Sequence, residues 1–286
     1  MFVASPVDRE YFNARRTPAS ILRCGSCGSL FQEPWPTDEE LRGLYGSDYQ
    51  NYTSSAVPLL SRAAAAYLRR SGARFVRRYG RDASVLDFGC GQGGFLRALA
   101  QAGCSRLAGF DFVLYDDLAS LSGVRFFDSI DAIRASGARF HVIRMQHVIE
   151  HLTDLDGRMT ILSDLLEDDG QIIGQTPNAA HYTARLMGQY WGPLHFPYHT
   201  MLFSPAGLDR AAARWRLQLR ETAGAILPTG WALSGENMLK HACGSRTRGR
   251  TALYTVLVAL SMPMALLDRV LSHEATANFD FVLTKR

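Results

Sequence analysis

A glycine-rich stretch over residues 85–96 constrains the fold more than any other part of the sequence. Its residues are VLDFGCGQGGFL, an apolar run, then four glycines, then more apolar residues. This order predicts a short buried strand, a tight turn and the start of a helix. Glycine lets the backbone of such a turn approach a ligand where a Cβ would collide. The first N–H groups of the helix also lack partners within it. We therefore expect the turn to bind a small molecule.

The spacing of these glycines fits two classes of ligand. Gly89, Gly91 and Gly94 match the pattern G-x-G-x-x-G of dinucleotide-binding turns. Asp87 followed by glycines at 89, 91 and 93 matches D-x-G-x-G-x-G equally well. A carboxylate at the lip of the turn would repel a pyrophosphate and would attract a ligand that carries an ammonium and a sulfonium. Asp87 therefore favours the second pattern, and a nicotinamide-dependent oxidoreductase stays open as an alternative.

The composition is that of a globular protein, because 47% of the 286 residues are hydrophobic and 20% are charged. The net charge of +4 is small and the arginines are scattered along the chain, so we expect no nucleic-acid partner. Five cysteines without regular spacing do not describe a disulfide framework. The first residues lack the apolar run of a signal peptide. These features predict a cytoplasmic protein, with membrane association left open by one apolar segment.

That apolar segment covers residues 251–271 and is close to the length of a membrane span. Pro263 and Asp268 interrupt it, and three arginines within residues 246–250 precede it. We favour a pair of helices in the core or in a homodimer interface. Contact with a membrane surface and a true membrane span are the alternatives.

Strand-like and helix-like segments alternate along most of the chain. A long amphipathic helix is predicted over Pro58–Tyr79, ahead of the glycine-rich stretch. The predicted strands cover residues 84–88, 106–110, 124–127, 140–145, 171–175, 217–222 and 278–283. Short apolar runs among them suit strands that are buried on both sides. The alternation predicts an α/β fold in which helices cover both faces of a parallel sheet.

We expect residues 1–55 to form an appendage to a main domain that covers residues 56–286. The appendage carries Cys24 and Cys27 in the sequence RCGSCG, which has the form of half a zinc ribbon. A structural zinc site needs four ligands, and the chain has no second C-x-x-C. We therefore predict no resident metal there, and zinc stays an open alternative. A helical insertion is expected within the main domain at about residues 223–275.

Acidic side chains follow the second and third predicted strands of the main domain. Asp111 ends the second strand in the sequence GFDF, and Asp128 follows the third. Ligands of open α/β sheets bind at the carboxyl ends of the strands. Asp111 at that position can accept hydrogen bonds from both hydroxyls of a ribose. Asp128 can accept from an adenine amino group, or it can cap the helix that begins near Ile130.

The sequence MQHVIEHL over residues 145–152 follows the fourth predicted strand directly. Within it, His147, Glu150 and His151 match the H-x-x-E-H motif of one class of zinc peptidases. That motif requires a long helix, whereas here the residues follow a buried strand. We therefore do not favour a peptidase. Glu150 and His151 can also serve only to orient the loop through hydrogen bonds.

A loop dense in aromatic residues and histidines follows the fifth predicted strand. After TPN at residues 176–178 comes YWGPLHFPYHTMLFS at residues 190–204. Long loops of this kind commonly carry function rather than only joining two elements. Over the ligand crevice, its apolar side chains would form walls, and His195 or His199 would supply a base. Both histidines can alternatively serve only to hold the loop.

Taken in order, these motifs resemble those of class I S-adenosylmethionine (SAM) methyltransferases. The group is similar to the ubiquinone-biosynthesis enzymes and to methyltransferases of sugars and natural products. The matching motifs are D-x-G-x-G-x-G, H-V-x-E-H-L after the fourth strand, and T-P-N followed by R-L-x-G-x-x-W and P-x-H-x-x-x-F-S. The resemblance implies a Rossmann-like fold with a seven-stranded, mostly parallel sheet, an antiparallel last strand, and helices on both faces.

The resemblance also implies roles for individual residues. The implied cofactor-binding residues are Asp87, Gly89, Gly91, Gly93, Asp111, Phe112, Asp128, Gln146 and His147. His199 is the first candidate for the catalytic base, followed by His195 and His151. Tyr190 and Trp191 are the candidate acceptor-binding residues. Some related enzymes hold a divalent metal such as magnesium near this motif. We predict no metal here and keep His147, Glu150 and His151 as weak candidates.

The predicted reaction is transfer of the SAM methyl group to a hydroxyl of a small molecule, a saccharide or a lipid-linked acceptor. Glycan or natural-product biosynthesis is the expected context. A non-catalytic interaction protein with the same fold is the main alternative, and the nicotinamide-dependent oxidoreductase is the other. The acceptor itself is not specified by the motifs.

Overall fold

The computed structural model describes residues 2–4, 19–44, 58–112, 121–247, 250, 252–271 and 276–286. Its strands are, in chain order, β1 (Phe2–Ala4), β2 (Ser20–Arg23), β3 (Leu30–Glu33), β4 (Val85–Phe88), β5 (Leu107–Phe110), β6 (Val124–Phe127), β7 (Phe140–Gln146), β8 (Leu166–Pro177), β9 (Met201–Leu202), β10 (Leu217–Ala225) and β11 (Asn278–Lys285). Its helices are α1 (Asp38–Arg42), α2 (Pro58–Tyr79), α3 (Gly94–Gln101), α4 (Ile130–Ala135), α5 (Leu155–Asp164), α6 (Tyr182–Met187), α7 (Pro205–Arg214), α8 (Thr229–Ala242) and α9 (Ala252–Leu271).

The larger of the two sheets in these residues has seven strands in the order β10-β11-β8-β7-β4-β5-β6. Strands β4 to β8 run parallel to their neighbours among themselves. Strand β11 is antiparallel to both β8 and β10. The prediction of a seven-stranded, mostly parallel sheet with an antiparallel last strand is therefore confirmed.

Helices cover both faces of this sheet, as the apolar strand sequences predict. Every residue of β4 and of β5 is buried. On one face, Leu96 and Leu99 of α3 pack with Phe75 of α2 against the sheet. On the other face, Met159 of α5 and Leu208 of α7 belong to a second cluster. Strands with both faces covered are mostly apolar along their length, which explains why β4 and β5 lack alternation; Asp87 is the one charged residue in β4.

The antiparallel pair of β8 and β11 depends on a glycine that faces an aromatic ring. Gly174 of β8 lies directly opposite Phe281 of β11. A Cβ on Gly174 would lie 2.4 Å from Cζ of Phe281 and 2.3 Å from the carbonyl oxygen of Met145. The ring of Phe281 therefore occupies the space that a larger residue at 174 would need, and it is 1% exposed.

The smaller sheet joins the beginning of the chain to the histidine-rich loop. Its strand order is β1-β2-β3-β9, and β9 lies inside that loop. The Nε2 group of Gln32 on β3 donates to the carbonyl oxygens of Pro197 at 2.8 Å and His199 at 2.6 Å. The Nε1 group of Trp35 donates to the carbonyl oxygen of Thr153 at 2.6 Å. The amino-terminal hairpin therefore holds the loop in place.

The apolar segment near the carboxyl end forms the single continuous helix α9, which packs against α8 and passes through Pro263. It is the one helix, within the described ranges, that is long and apolar enough by length and composition to cross a membrane. Only 22% of its window Leu253–Val270 is buried. The predicted pair of helices is one helix, and its expected place in the core is wrong because most of the helix surface is exposed. The homodimer interface stays a prediction.

The contact between Gly174 and Phe281 predicts a large loss of stability when the ring is removed. Phe281→Ala should lower the free energy of unfolding by about 3–5 kcal/mol, because the cavity that it leaves is enclosed by the sheet. Urea denaturation measures this value. Phe112→Ala is the matched control, since that ring is 44% exposed and should cost clearly less. Equal losses for the two variants would contradict the packing described.

Candidate active site

Backbone hydrogen bonds fasten the glycine turn to the carboxyl end of β5. The N–H groups of Gly89 and Cys90 both donate to the carbonyl oxygen of Phe110, at 2.7 and 3.0 Å. The N–H group of Gly91 donates to Oδ2 of Asp111 at 2.6 Å. The glycine turn and Asp111, which the sequence predicts to share one ligand site, are therefore in direct contact.

The turn requires glycine for reasons of both conformation and space. Gly89, Gly91 and Gly93 have φ angles of 83°, 52° and 72°, a region that disfavours other residues. A Cβ on Gly89 would also lie 2.3 Å from Cγ2 of Val148. The turn thus passes directly against the segment that follows β7. This close passage places two of the predicted motifs side by side.

Asp87 lies beneath the turn rather than at its lip. It is 1% exposed, and its Oδ1 accepts a hydrogen bond from Nη1 of Arg144 at 2.8 Å. The Arg144 guanidinium also lies 4.1 Å from the centre of the Phe95 ring. Burial raises the pKa of Asp87, and the ion pair with Arg144 opposes this rise. Its other oxygen, Oδ2, is buried without a hydrogen-bond partner among the described residues.

Arg144 was not among the residues predicted from the sequence. A signal for it was present, since it is the one charged residue inside the otherwise apolar centre of β7. A charge at a buried strand position needs a partner of opposite sign nearby. Asp87 on the adjacent strand β4 provides that partner, because the two residues are in register.

The other predicted cofactor residues at this edge differ in their surroundings. Asp111 is half-buried at the end of β5. Phe112 is 44% exposed, and its ring centre lies 5.0 Å from that of Phe110. Asp128 is exposed and accepts a hydrogen bond from Oγ of Ser129 at 3.1 Å. Ser129 itself, rather than Asp128, caps helix α4.

His147 occupies a backbone conformation that is rare for this residue type, with a φ of 53°. Its Nδ1 lies 3.1 Å from Oε1 of Glu150, and its Nε2 lies 3.0 Å from Oε1 of Gln175. Burial lowers the pKa of His147, but the hydrogen bonds to these two residues outweigh it and raise the pKa overall. Gln146, the residue before it, ends β7 and is half-buried.

Glu150 joins this network to β8 and is completely buried. Its Oε2 accepts a hydrogen bond from Oγ1 of Thr176 at 3.0 Å. Burial alone would raise the pKa of Glu150, yet its contact with His147 lowers it overall. The Nε2 group of Gln175 in turn donates to Asp280 of β11 at 2.6 Å. The network therefore spans three neighbouring strands of the sheet.

Three histidines form a cluster beside Glu150. The ring centres of His151 and His199 are 4.6 Å apart, and those of His195 and His199 are 5.0 Å apart. His195 has a φ of 39° and stacks on Tyr198 at 4.8 Å. The structure thus brings together the three predicted catalytic candidates, although His151 precedes the other two by more than forty positions in the sequence.

Backbone carbonyls fix the orientation of two of these rings. Nδ1 of His151 lies 3.1 Å from the carbonyl oxygen of Tyr198, and Nδ1 of His199 lies 2.8 Å from that of Pro193. A carbonyl accepts only, so each Nδ1 carries the proton and each Nε2 can accept one. Burial lowers the pKa of His151 to about 4 and that of His199 well below its ordinary value.

Glu150, His151 and His199 also place ligand atoms within 4.8 Å of one another. One carboxylate and two imidazoles form a donor set that suits zinc better than magnesium. His147, a predicted candidate for the same role, is not in this group, and both of its ring nitrogens contact other side chains. In the part of the chain that the structure describes, no group of three ligating side chains includes Cys24 or Cys27.

The two predicted acceptor-binding residues contact helices α6 and α8. Trp191 is 1% exposed and packs in a cluster with Leu194. Its Nε1 group donates to Oγ1 of Thr183 at 3.0 Å, so its one polar atom is used within the protein. Tyr190 is half-buried, and its ring centre lies 5.2 Å from that of His241 on α8.

Comparison with known proteins defines the class of this chain. A family model described as a methyltransferase domain matches residues 60–221, which is more than half of the chain. The chain belongs to this methyltransferase family. Its seven-stranded, mostly parallel sheet with an antiparallel last strand is the fold of the class I SAM-dependent methyltransferases. No curated protein sequence matches the chain.

Solved structures of methyltransferases are similar to it at low identity. 1,6-Didemethyltoxoflavin-N1-methyltransferase from Burkholderia thailandensis, with bound 1,6-didemethyltoxoflavin and S-adenosylhomocysteine, shares 15% identity over 96% of this chain and 98% of that one, with a TM-score of 0.52. Coclaurine N-methyltransferase, bound to N-methylheliamine and S-adenosylhomocysteine, shares 14% identity over 87% and 79%, with a TM-score of 0.48. A SAM-dependent methyltransferase from Archaeoglobus fulgidus shares 16% identity over 77% and 94%, with a TM-score of 0.48.

The contact between His147 and Glu150 predicts a pH-dependent contribution to stability. A raised histidine pKa stabilises the fold below the ordinary value of 6.5, and the contribution is lost as pH rises through the folded pKa. His147→Asn, which tolerates the positive φ, should therefore cost about 1–3 kcal/mol near pH 5.5 and clearly less near pH 9. Urea denaturation at both pH values measures the difference. His241→Asn on the surface is the control, and a loss independent of pH would contradict the ion pair.

Proposed function

We propose that this methyltransferase moves the methyl group of SAM to a hydroxyl of a small acceptor, with the glycine turn holding the cofactor and His199 serving as the base. The observation that supports the proposal is that the glycine turn and the histidine cluster both adjoin the segment after β7, at one edge of the sheet. The turn is bonded to Asp111 at 2.6 Å on one side and packed against Val148 on the other. His151 of the histidine cluster belongs to that same segment after β7.

The turn and its neighbours suit SAM in shape and charge. Its glycines leave the backbone without Cβ atoms where a ligand would approach. Asp111 is in position, at the end of β5, to accept hydrogen bonds from ribose hydroxyls. Asp87 offers a buried carboxylate oxygen, and the exposed ring of Phe112 offers an apolar surface. Gln146, His147 and Asp128 are proposed to complete the pocket. When bound, SAM supplies an electrophilic methyl group.

His199 is proposed to accept the proton of the acceptor hydroxyl. Its Nδ1 is held by the carbonyl oxygen of Pro193, which leaves Nε2 as the basic atom. Burial lowers the pKa of His199, which keeps the ring neutral near neutral pH and makes it a weaker base than an exposed histidine. The hydrogen bonds from Gln32 fix the loop that carries it, and positioning of this kind accounts for much of the rate of such displacements.

Three classes of acceptor are compatible with the proposed site. A saccharide, a lipid-linked glycan and a small natural product all remain acceptable to a site walled by histidine and aromatic rings. The Burkholderia enzyme is named for N1-methylation of 1,6-didemethyltoxoflavin, and its likeness to this chain supports the fold alone. A non-catalytic protein of the same fold is the second candidate. The family match counts against a nicotinamide-dependent oxidoreductase.

Replacement of Asp111 tests the proposed cofactor site. Asp111→Ala removes the carboxylate that accepts from the Gly91 N–H group and that is proposed to bind the ribose. SAM affinity should therefore fall at least about tenfold, which is about 1.4 kcal/mol or more. Isothermal titration calorimetry measures this affinity. Asp131→Ala is the matched control, because that carboxylate is 91% exposed on helix α4. An unchanged affinity of Asp111→Ala would remove Asp111 from the cofactor site.

Replacement of His199 tests the proposed base. His199→Ala should lower kcat by about 100-fold or more, while SAM affinity stays within about twofold. The rate is measured as S-adenosylhomocysteine release with the best acceptor from a panel of phenols, saccharides and lipid-linked sugars. His195→Ala serves as the comparison, because that ring stacks on Tyr198. Full turnover by His199→Ala would show that His199 is not the base.

A further inference from the structure

Helix α9 turns its polar residues toward the protein and its apolar residues outward. The buried positions are Tyr254, Ser261, Ala265 and Asp268, spaced so that they form one stripe along the helix. Three of these four residues carry a polar group. A surface helix of a globular protein in water has the opposite arrangement, with an apolar stripe inside and polar residues outside.

The outward side of α9 is almost entirely hydrocarbon. The large apolar side chains exposed along it are Leu253, Val256, Leu260, Met262, Met264, Leu266, Leu267 and Val270. Leu260 is 67% exposed and Val270 is 78% exposed. An exposed apolar surface of this kind marks a site of contact with another molecule or with a membrane.

The inward side of α9 is held by specific hydrogen bonds, so its orientation is not accidental. Asp268 is 2% exposed and accepts from the hydroxyl of Tyr182 at 2.9 Å and from Nε1 of Trp231 at 2.8 Å. Its Oδ2 also lies 3.6 Å from Nε2 of His181. A rotation of the helix that buried the leucines would expose these hydrogen bonds to water and break them. The apolar side must therefore face outward.

The charge around α9 suits an anionic surface. Among the described residues from Met238 to Val270, the only carboxylate is Asp268, which is buried. Arg246 before the helix is exposed, and Arg269 within its last turn is half-buried. The guanidinium of Arg250 lies 4.3 Å from the centre of the inward Tyr254 ring and belongs to the inward side. A stretch whose described residues include an exposed arginine and no exposed carboxylate is attracted to the phosphate groups of anionic lipids.

The contacts of α9 indicate that it lies along a membrane rather than across it. The buried stripe runs from Tyr254 near its first turn to Asp268 near its last, so the helix rests on the protein along its length. The window Leu253–Val270 has 18 residues, about 27 Å at 1.5 Å per residue. Strand β11, which follows α9, returns to the large sheet and lies between β10 and β8. Both ends of the helix therefore belong to the same folded domain.

We propose that the outward side of α9 docks on the surface of an anionic lipid bilayer, with its leucine, valine and methionine side chains at the boundary of the acyl chains. Hydrogen bonding through Tyr182 would connect the docked helix to the segment that leads into the histidine-rich loop. The proposal requires neither the assignment of His199 nor the identity of the acceptor.

Vesicle binding tests the proposal on the full chain. The protein is sedimented with vesicles of phosphatidylcholine alone and with vesicles that contain phosphatidylglycerol. We expect binding to the phosphatidylglycerol vesicles, weakened by salt, and at least about tenfold weaker binding for Leu260→Glu/Val270→Glu. Ala65→Glu/Tyr67→Glu on α2 adds the same charge at exposed positions and should bind as the unchanged protein does.

Three results would overturn the proposal. Sedimentation velocity without lipid would do so if the protein is a dimer that Leu260→Glu/Val270→Glu converts to a monomer, because a second copy would then cover the helix. Equal binding to both kinds of vesicle would contradict the proposed preference for anionic lipid. Absence of vesicle binding by the unchanged protein would contradict the proposal outright. If the glutamate variant loses its circular dichroism signal, Met262→Gln/Met264→Gln, at exposed positions, repeats the comparison.

Discussion

The attachment of the glycine turn to the end of β5 is the constraint on which the site depends. Two N–H groups of the turn share the carbonyl oxygen of Phe110, and a third donates to Asp111. Because the turn is held there, it passes within contact distance of Val148 and so defines where the segment after β7 can lie. The positive φ angles that this path needs explain the glycines at alternate positions.

A second set of contacts connects the large sheet to the loop that carries His195 and His199. Glu150 is bonded through its side chain to His147 and Thr176, while its backbone carbonyl accepts from Thr200 at 2.7 Å. Gln32, on the amino-terminal hairpin, bonds to the same loop from the other side. The residues before the main domain therefore contribute to the position of the histidine cluster, although none of them matches a catalytic motif.

Much of the fold follows from local sequence, and much of the site does not. Strand β6 and helix α2 begin and end at the predicted residues, because apolar pattern and turn residues determine them. Strand β8 is longer than predicted, since its pairing with β11 extends it to Pro177. The pairing of Arg144 with Asp87, the burial of Trp191 and the inverted helix α9 all arise from contacts between distant segments. Periodicity along the chain carries no information about such contacts.

The most direct measurement of the central claim is a calorimetric titration of the unchanged protein with SAM, S-adenosylhomocysteine and NAD in parallel. Asp111 beside the turn and the family match predict binding of SAM and S-adenosylhomocysteine at one site in each molecule, and no heat with NAD. Prior addition of S-adenosylhomocysteine should abolish the heat of SAM. Binding of NAD in place of SAM, or the absence of binding by either adenosyl compound, would contradict the account.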